Sequence, residues 1–353
     1  MHDAPSALSR RQAALTPEVA ARSSLAHRSE HADTGRELAC PTCGPQVPRA
    51  RFGARTGYDL ARCTGCGLIF IDRLGIATTG RFFAGADDRL APRAPRDALE
   101  YGSDPGVFDR HRAAFEAVFE ERWQRLNAAR PDIRRVLDIG CGHGFFLAHV
   151  APRGAMVRGI EIDPAVAGYA RERFGLAVSE SPIESYATDE RFDAIVMCDV
   201  LGQLADPKAA LERCEELLVP GGVLLIEVPN LVGLKLPFGQ SWGLPHHIWQ
   251  FGPRSLSRLV AASGLQPEGW STGVLGTVSV LDRGGPSWRD RLAWAAARRL
   301  NFGNRLMLIA RKLEDADRCG RALPVVDERS GGGSTPDGGF EVRQEHSDES
   351  DRR

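Results

Sequence analysis

The chain has 353 residues, 42% of them apolar and 26% charged, with a formal net charge of −1. That length accommodates one α/β domain plus smaller modules, and the balanced charge offers no global pull toward nucleic acid or anionic lipid. No apolar run approaches the roughly 18–20 residues that span a bilayer, and the opening residues lack the continuous apolar segment of a secretory signal, so a cytoplasmic location is expected.

Residues 1–36 show no sustained apolar period and are expected to be disordered. Residues 37–75 form a compact stretch rich in Cys, Gly and Pro. Within it Cys40-x2-Cys43 and Cys63-x2-Cys66 stand nineteen residues apart, the spacing of a small zinc ribbon with four thiolate ligands. Gly44 and Gly67, directly after the hooks, relieve each tight turn. A closed shell of four thiolates leaves no position for water or substrate, so the expected zinc is structural. A disulfide framework is a poor alternative in a chain this long without a signal segment.

Residues 76–131 read as a linker and helical cap. From about 107 to 127, Phe108, Phe115, Val118, Phe119, Trp123 and Leu126 recur at helical spacing, and Pro131 closes the stretch. From 132 to 312 short apolar runs alternate with helical stretches. Strands are predicted at Val136–Ile139, Val157–Ile162, Leu176–Val178, Phe192–Cys198 and Val223–Val228, with helices at Phe145–Val150, Pro164–Phe174 and Pro207–Leu218 among them. That rhythm predicts a parallel, doubly wound sheet with helices on both faces. Helix Pro253–Gly264, a strand near Pro267–Val274, a helix over Arg291–Leu300 and a last strand at Arg305–Ala310 complete the domain. Residues 313–353 form an acidic tail expected to be disordered.

Val136–Ile139 runs into Gly140-Cys141-Gly142-His143-Gly144, where the glycines let a ligand lie against the main chain. Glu161, about twenty residues on at the end of the next strand, can accept hydrogen bonds from ribose hydroxyls. A dinucleotide fingerprint would need Gly or Ala at 145, where Phe145 stands. Asp138, in the approach to the turn, would repel a pyrophosphate but suits a ligand bearing an ammonium and a sulfonium. The chemistry favours S-adenosylmethionine over NAD.

Residues 134–229 resemble a class I S-adenosylmethionine-dependent methyltransferase, whose fold is an α/β, Rossmann-like, seven-stranded sheet. Arg135–Gly144 matches the family's first motif and Gly159-Ile160-Glu161-Ile162-Asp163 its acidic strand end. Arg191–Cys198 matches the fourth strand, and Leu218–Leu224 the turn into the fifth. The resemblance implies that Asp138, Gly140 and Gly142 line the methionine end of the cofactor and that Glu161 holds its ribose. It places Ile162 and Ile183 beside the adenine, Glu184 or a nearby amide on the adenine edge, and Gly144 and Cys198 within the same site. One departure stands out: many relatives carry a Glu-His pair after the fourth strand, where this chain has Gly202-Gln203.

Residues 237–254 break the rhythm just past the fifth strand, on the side where open α/β sheets bind ligands. They gather Trp242, His246, His247 and Trp249. An N-terminal zinc ribbon before such a domain resembles a group of bacterial methyltransferases, some of which modify sugars, quinones or other metabolites. That group often shows a Pro-x-His-x-x-x-Phe-x-x-x-x-Leu pattern here, matched by Pro245, His247, Phe251 and Leu256. His247 is then either a base or hydrogen-bond partner for the methyl acceptor, or it packs the loop onto the sheet together with Trp249. The expected activity is methyl transfer to the oxygen or carbon of a small molecule. An RNA or protein acceptor recognised through the ribbon, and a non-catalytic cofactor-binding scaffold, are the alternatives. The neutral charge and lack of an aromatic–basic stripe count against RNA.

Overall fold

The computed structural model describes residues 36–55, 57–74, 105–233, 243–244, 246–274, 284–285 and 287–314. All belong to one compact unit, residues 1–314; a second unit, Asp315–Arg353, lies outside the described residues. The expected disordered termini (apart from Arg36, Leu313 and Glu314), most of the linker, Trp242 and Pro245 also fall outside them.

In chain order the elements are β1 (Arg36–Glu37), β2 (Arg49–Arg55), β3 (Tyr58–Cys63), β4 (Ile69–Ile71), β5 (Arg73–Leu74), α1 (Pro105–Arg110) and α2 (Arg112–Ala129). Then follow β6 (Arg135–Ile139), α3 (Phe145–Val150), β7 (Met156–Ile160), α4 (Pro164–Phe174), β8 (Val178–Ser179), β9 (Phe192–Cys198), α5 (Pro207–Leu217) and β10 (Leu218–Pro229). The chain ends with β11 (Trp249–Gln250), α6 (Pro253–Ala262), β12 (Leu265–Gly273), α7 (Trp288–Arg299) and β13 (Arg305–Lys312). The single helix expected over 107–127 is two helices, broken at His111, whose backbone leaves the helical region.

The central sheet has seven strands in the order β12-β13-β10-β9-β6-β7-β8. Strands β8 to β10 run parallel, as the alternation predicted, but β13 is antiparallel to both β10 and β12. The doubly wound, seven-stranded sheet is as expected, and its last two strands, for which the alternation gave no direction, make it mixed. Helix α6 carries the chain from β10 across to β12 and leaves one strand position between them; β13 returns through it in the opposite sense. Alternate residues of the inner strands feed two cores. Leu137, Ile195, Met197, Leu224 and Ile226 pack on one face, and Val136, Ala194, Val196, Val223 and Leu225 on the other. Two-sided burial is why these strands read as continuous apolar runs.

Local sequence fixes the helix starts beside the cofactor-side loops. Asp163 caps α4 by accepting from the amides of Ala165 and Val166, and Pro164 occupies the first turn. Asp206 and Pro207 repeat the device at α5.

The Cys-rich stretch forms an antiparallel meander, β2-β3-β4, and β11 joins it as a fourth strand beside β4. In the sequence 237–254 reads as irregular chain, because two residues of strand carry no readable period. Phe70 and Trp249 meet across the new pair with ring centroids 5.5 Å apart. Leu68 and Phe70 thus share one core with Ile248, Phe251 and the sheet of the larger domain.

Candidate functional site

A cleft of about 910 Å³ opens beyond the carboxyl ends of β6, β7 and β9. There the strand order reverses, the position at which open α/β sheets hold ligands. Gly140, Gly142, Glu161, Ile162, Ile183 and Cys198 line it, as does Glu184. Asp138 and Gly144, expected with them, do not form its wall.

The turn after β6 explains both. Gly140, Gly142 and Gly144 take left-handed backbone, with φ of +69°, +55° and +80°. A Cβ at Gly140 would stand 2.3 Å from Val200, and one at Gly144 would stand 2.5 Å from Leu176 and 2.9 Å from Ala170. Gly144 thus closes the turn against α4, so its role is to shape the loop. The amides of Gly140 and Cys141 donate to the Ile160 carbonyl at 2.8 and 3.0 Å. Glu161 then clasps the turn: Gly142 N donates to its Oε2 and Asp163 N to its Oε1, each at 3.0 Å. This places the carboxylate on the rim of the cleft beside exposed main chain.

Asp138 lies beneath the turn, 5% exposed. No hydrogen bond reaches its carboxyl among the described residues. Burial pushes its pKa up to about 7; the Arg122 guanidinium opposes that rise and the Glu161 charge adds to it. A buried carboxyl without a donor is costly unless a cation or donor completes it.

Sequence reading missed a buried charge network on the opposite wall. Arg122 of α2 donates through Nε and Nη2 to Glu227 of β10 at 2.9 and 3.0 Å. Arg305 of β13 donates to Glu227 at 3.0 Å and ion-pairs with Asp199 at 2.6 Å. Burial alone would raise the Glu227 pKa, but the two guanidinium groups hold it down at about 2. Arg122 and Asp199 both line the cleft. Asp199 holds a left-handed backbone, φ +60°, pinned by its amide bond to the Glu227 carbonyl at 2.9 Å. Such a conformation in a residue other than glycine concentrates at functional sites. The one signal in the sequence was Glu227 itself, a charge inside the apolar run Leu224–Val228.

His247 does not line the cleft. Its ring packs between two glycines: a Cβ at Gly202 would stand 2.8 Å from Nδ1, and one at Gly243 would stand 2.2 Å from Cδ2. The absence of a side chain at 202 therefore makes room for an imidazole arriving from the loop. The next residue, Gln203, is in the cleft wall and donates to the Asp199 carbonyl. Trp249 Nε1 donates to the carbonyl of Leu204, another wall residue, at 2.8 Å. Burial lowers the pKa of His246. On the capping side, Phe108, Phe115 and Phe119 from α1 and α2 face the cleft together with Phe145 and Phe146. Phe108 stacks on Phe145 at 3.8 Å between centroids.

The four cysteines converge as their spacing predicted. All Sγ atoms lie within 4.8 Å of one another, and Cys40 and Cys66 approach to 3.5 Å. Tetrahedral zinc–thiolate bonds of about 2.3 Å need sulfur–sulfur separations of roughly 3.8 Å, so the set fits zinc. Gly44 N bonds to the Cys40 carbonyl and Gly67 N to the Cys63 carbonyl, closing both hooks with left-handed glycines. Arg258 of α6 donates to the Gly65 carbonyl at 2.7 Å and ties the second hook to the larger domain.

Strand order, glycine turn and acidic strand end together define a class I methyltransferase fold. The family model described as "Methyltransferase domain" matches residues 80–268, and the chain belongs to that family. A ubiquinone biosynthesis O-methyltransferase from Cereibacter sphaeroides (strain KD131 / KCTC 12085) is 35% identical over 149 residues, covering 38% of this chain and 60% of that protein. An uncharacterized methyltransferase from Mycobacterium sp. (strain JLS) is 30% identical over 184 residues, covering 51% and 68%. The chain therefore spans about 60% of the length of the first of these relatives. Among solved structures, the N-methyltransferase NodS from Bradyrhizobium japonicum WM9, in complex with S-adenosyl-L-homocysteine, is 20% identical with a TM-score of 0.41, covering 63% of this chain and 94% of that one. No helix among the described residues is long and apolar enough to cross a membrane.

Proposed function

We propose that the protein transfers a methyl group from S-adenosylmethionine to a small-molecule acceptor. The observation that carries this reading is the buried Asp138 carboxyl, to which no hydrogen bond runs among the described residues, directly under a glycine turn clasped by Glu161. In this reading Asp138, under the turn and outside the cleft wall, supplies the negative charge that draws the ammonium of the cofactor to this end, and Gly140 and Gly142 offer main chain to its methionine end. Glu161 accepts from the ribose hydroxyls, Ile162 and Ile183 enclose the adenine with Glu184 at its edge, and Cys198 borders the methionine end. When bound, the cofactor supplies an electrophilic methyl on a sulfonium. The residues around it align the acceptor for in-line displacement and exclude water.

The acceptor half supports an aromatic hydroxyl as the accepting group. Phe108, Phe115 and Phe119 make the capping wall apolar, and the matched Cereibacter relative is a ubiquinone biosynthesis O-methyltransferase. His247 is assigned to this side through the wall rather than in it: seated in the notch at Gly202, it positions Gln203, the next residue, which lines the cleft. A structural zinc held by Cys40, Cys43, Cys63 and Cys66 anchors β4, and through β11 it anchors the segment that carries His247. Calorimetric titration of the zinc-loaded chain with S-adenosylmethionine tests the proposal, with a Glu161→Ala variant binding at least tenfold more weakly. Failure of the wild type to bind would leave a scaffold that keeps the fold without the activity.

A further inference from the structure

Of the nine large apolar side chains that stand exposed among the described residues, five fall between Trp270 and Phe302. Three flank or belong to α7: Trp288 at 67% exposure, Leu292 at 63% and Leu300 at 75%. Trp288, Leu292, Ala295 and Arg299 follow a spacing of four, three and four residues, so they share one helical face. Ala297, on the opposite face, is buried against the domain. The helix thus turns an apolar stripe outward, against the usual order of a surface helix.

The charges beside that stripe all but exclude one sign. Helix α7 carries Arg289, Arg291, Arg298 and Arg299 against the single acid Asp290, in a chain whose total charge is −1. Asp290 is engaged in the N-terminal capping box with Ser287, and the Arg289 guanidinium lies 5.3 Å over the Trp288 ring. An exposed Trp and Leu ringed by arginines matches a helix lying in the interface of an anionic bilayer, where long cationic side chains reach the headgroups. Two copies of the helix packed about a two-fold axis would instead bring like charges together.

The helix is also fixed in a useful place. Asn230, at the carboxyl end of β10, donates to the carbonyls of Gly303 and Asn304 at 2.9 and 2.8 Å. Thr272 at the end of β12 accepts from the Gly303 amide at 2.9 Å. These bonds hold the α7–β13 connection at the end of the sheet where the cleft opens.

We infer that α7 docks the protein onto an anionic lipid surface, with Trp288 and Leu292 entering the headgroup region and the arginines meeting lipid phosphates. This surface stands on its own observations and does not depend on the proposed reaction. Flotation of the full chain with vesicles of phosphatidylcholine alone, or of equimolar phosphatidylcholine and phosphatidylglycerol, tests it. Binding is expected only to the anionic vesicles. At about 1 kcal/mol per basic residue near such a surface, or roughly fivefold each, Arg289→Glu with Arg299→Glu should weaken it by at least about 30-fold. Trp288→Ser with Leu292→Ser should also release the protein, while the far-ultraviolet circular dichroism and thermal unfolding midpoint stay unchanged in both variants and report intact folding. Absence of vesicle binding, binding that both variants retain, or a concentration-dependent dimer abolished by Trp288→Ser would overturn the inference.

Discussion

The cofactor half of the cleft comes from one continuous stretch, residues 135–185, whereas the opposite half is assembled from segments far apart in the chain. In the first, β6, the glycine turn, β7 and α4 succeed one another, and the hydrogen bonds that shape the turn are made over a short sequence separation, with Val200 the distant residue packed against it. In the second, Arg122 reaches Glu227 across 105 positions. Trp249 reaches Leu204 across 45, and the Arg258 bond to Gly65 spans 193. A local half keeps its shape if a distant segment is disturbed. The assembled half depends on every contributor, so damage to the two halves should separate cleanly.

The largest effect is expected where the assembled half is tied most tightly. Glu227→Ala leaves Arg122 and Arg305 buried without their shared partner and should cost about 3–5 kcal/mol, read by denaturant unfolding. The same group sets an acid dependence. Its folded pKa, about 2, lies below the ordinary value of 4.5. Its stabilisation is therefore complete above about pH 4.5 and is lost as the pH falls toward 2. A wild-type unfolding midpoint that did not fall over that interval would contradict the network.

Removing the proposed zinc is the next test of the comparison. Chelation, or Cys63→Ser, should loosen β4 and with it β11, seen as faster amide exchange at Ile71, whose amide donates to the Ile248 carbonyl. Affinity for S-adenosylmethionine should change less than about twofold, because the local half is untouched. Equal loss in both halves would show that the division is wrong. A subtler change is Gly202→Ala. The new methyl would sit 2.8 Å from His247 Nδ1, and displacing the ring should lower turnover by about 10²-fold with cofactor binding preserved. Unchanged turnover would leave His247 as packing only.

The same contrast explains what could be read from the chain alone. The glycine turn, Glu161 and the paired cysteine hooks are local patterns, in which residue type and spacing already state the geometry. Caps such as Asp163-Pro164 and Asp206-Pro207 mark helix starts for the same reason. The antiparallel β13 was not legible, because its direction depends on the gap that α6 leaves between β10 and β12. Nor was β11, whose two residues become a strand only by meeting the edge of β4. Arg122 looked like one of the polar positions of an amphipathic helix, and only folding places it against Glu227. Gly202 appeared as a lost side chain; the structure turns it into the notch that seats His247.

The most direct test of the account is the pH dependence of S-adenosylmethionine binding. Burial raises the Asp138 pKa to about 7, and a proton on its carboxyl competes with the ligand ammonium. Calorimetric affinity of the wild type should therefore rise between pH 6 and 8 as that proton is lost, by up to roughly tenfold if the pairing is strong. Asp138→Asn should bind more weakly and show no such slope. A variant that binds as tightly as the wild type, or a wild type whose affinity is flat across that range, would contradict the assignment of Asp138 to the cofactor.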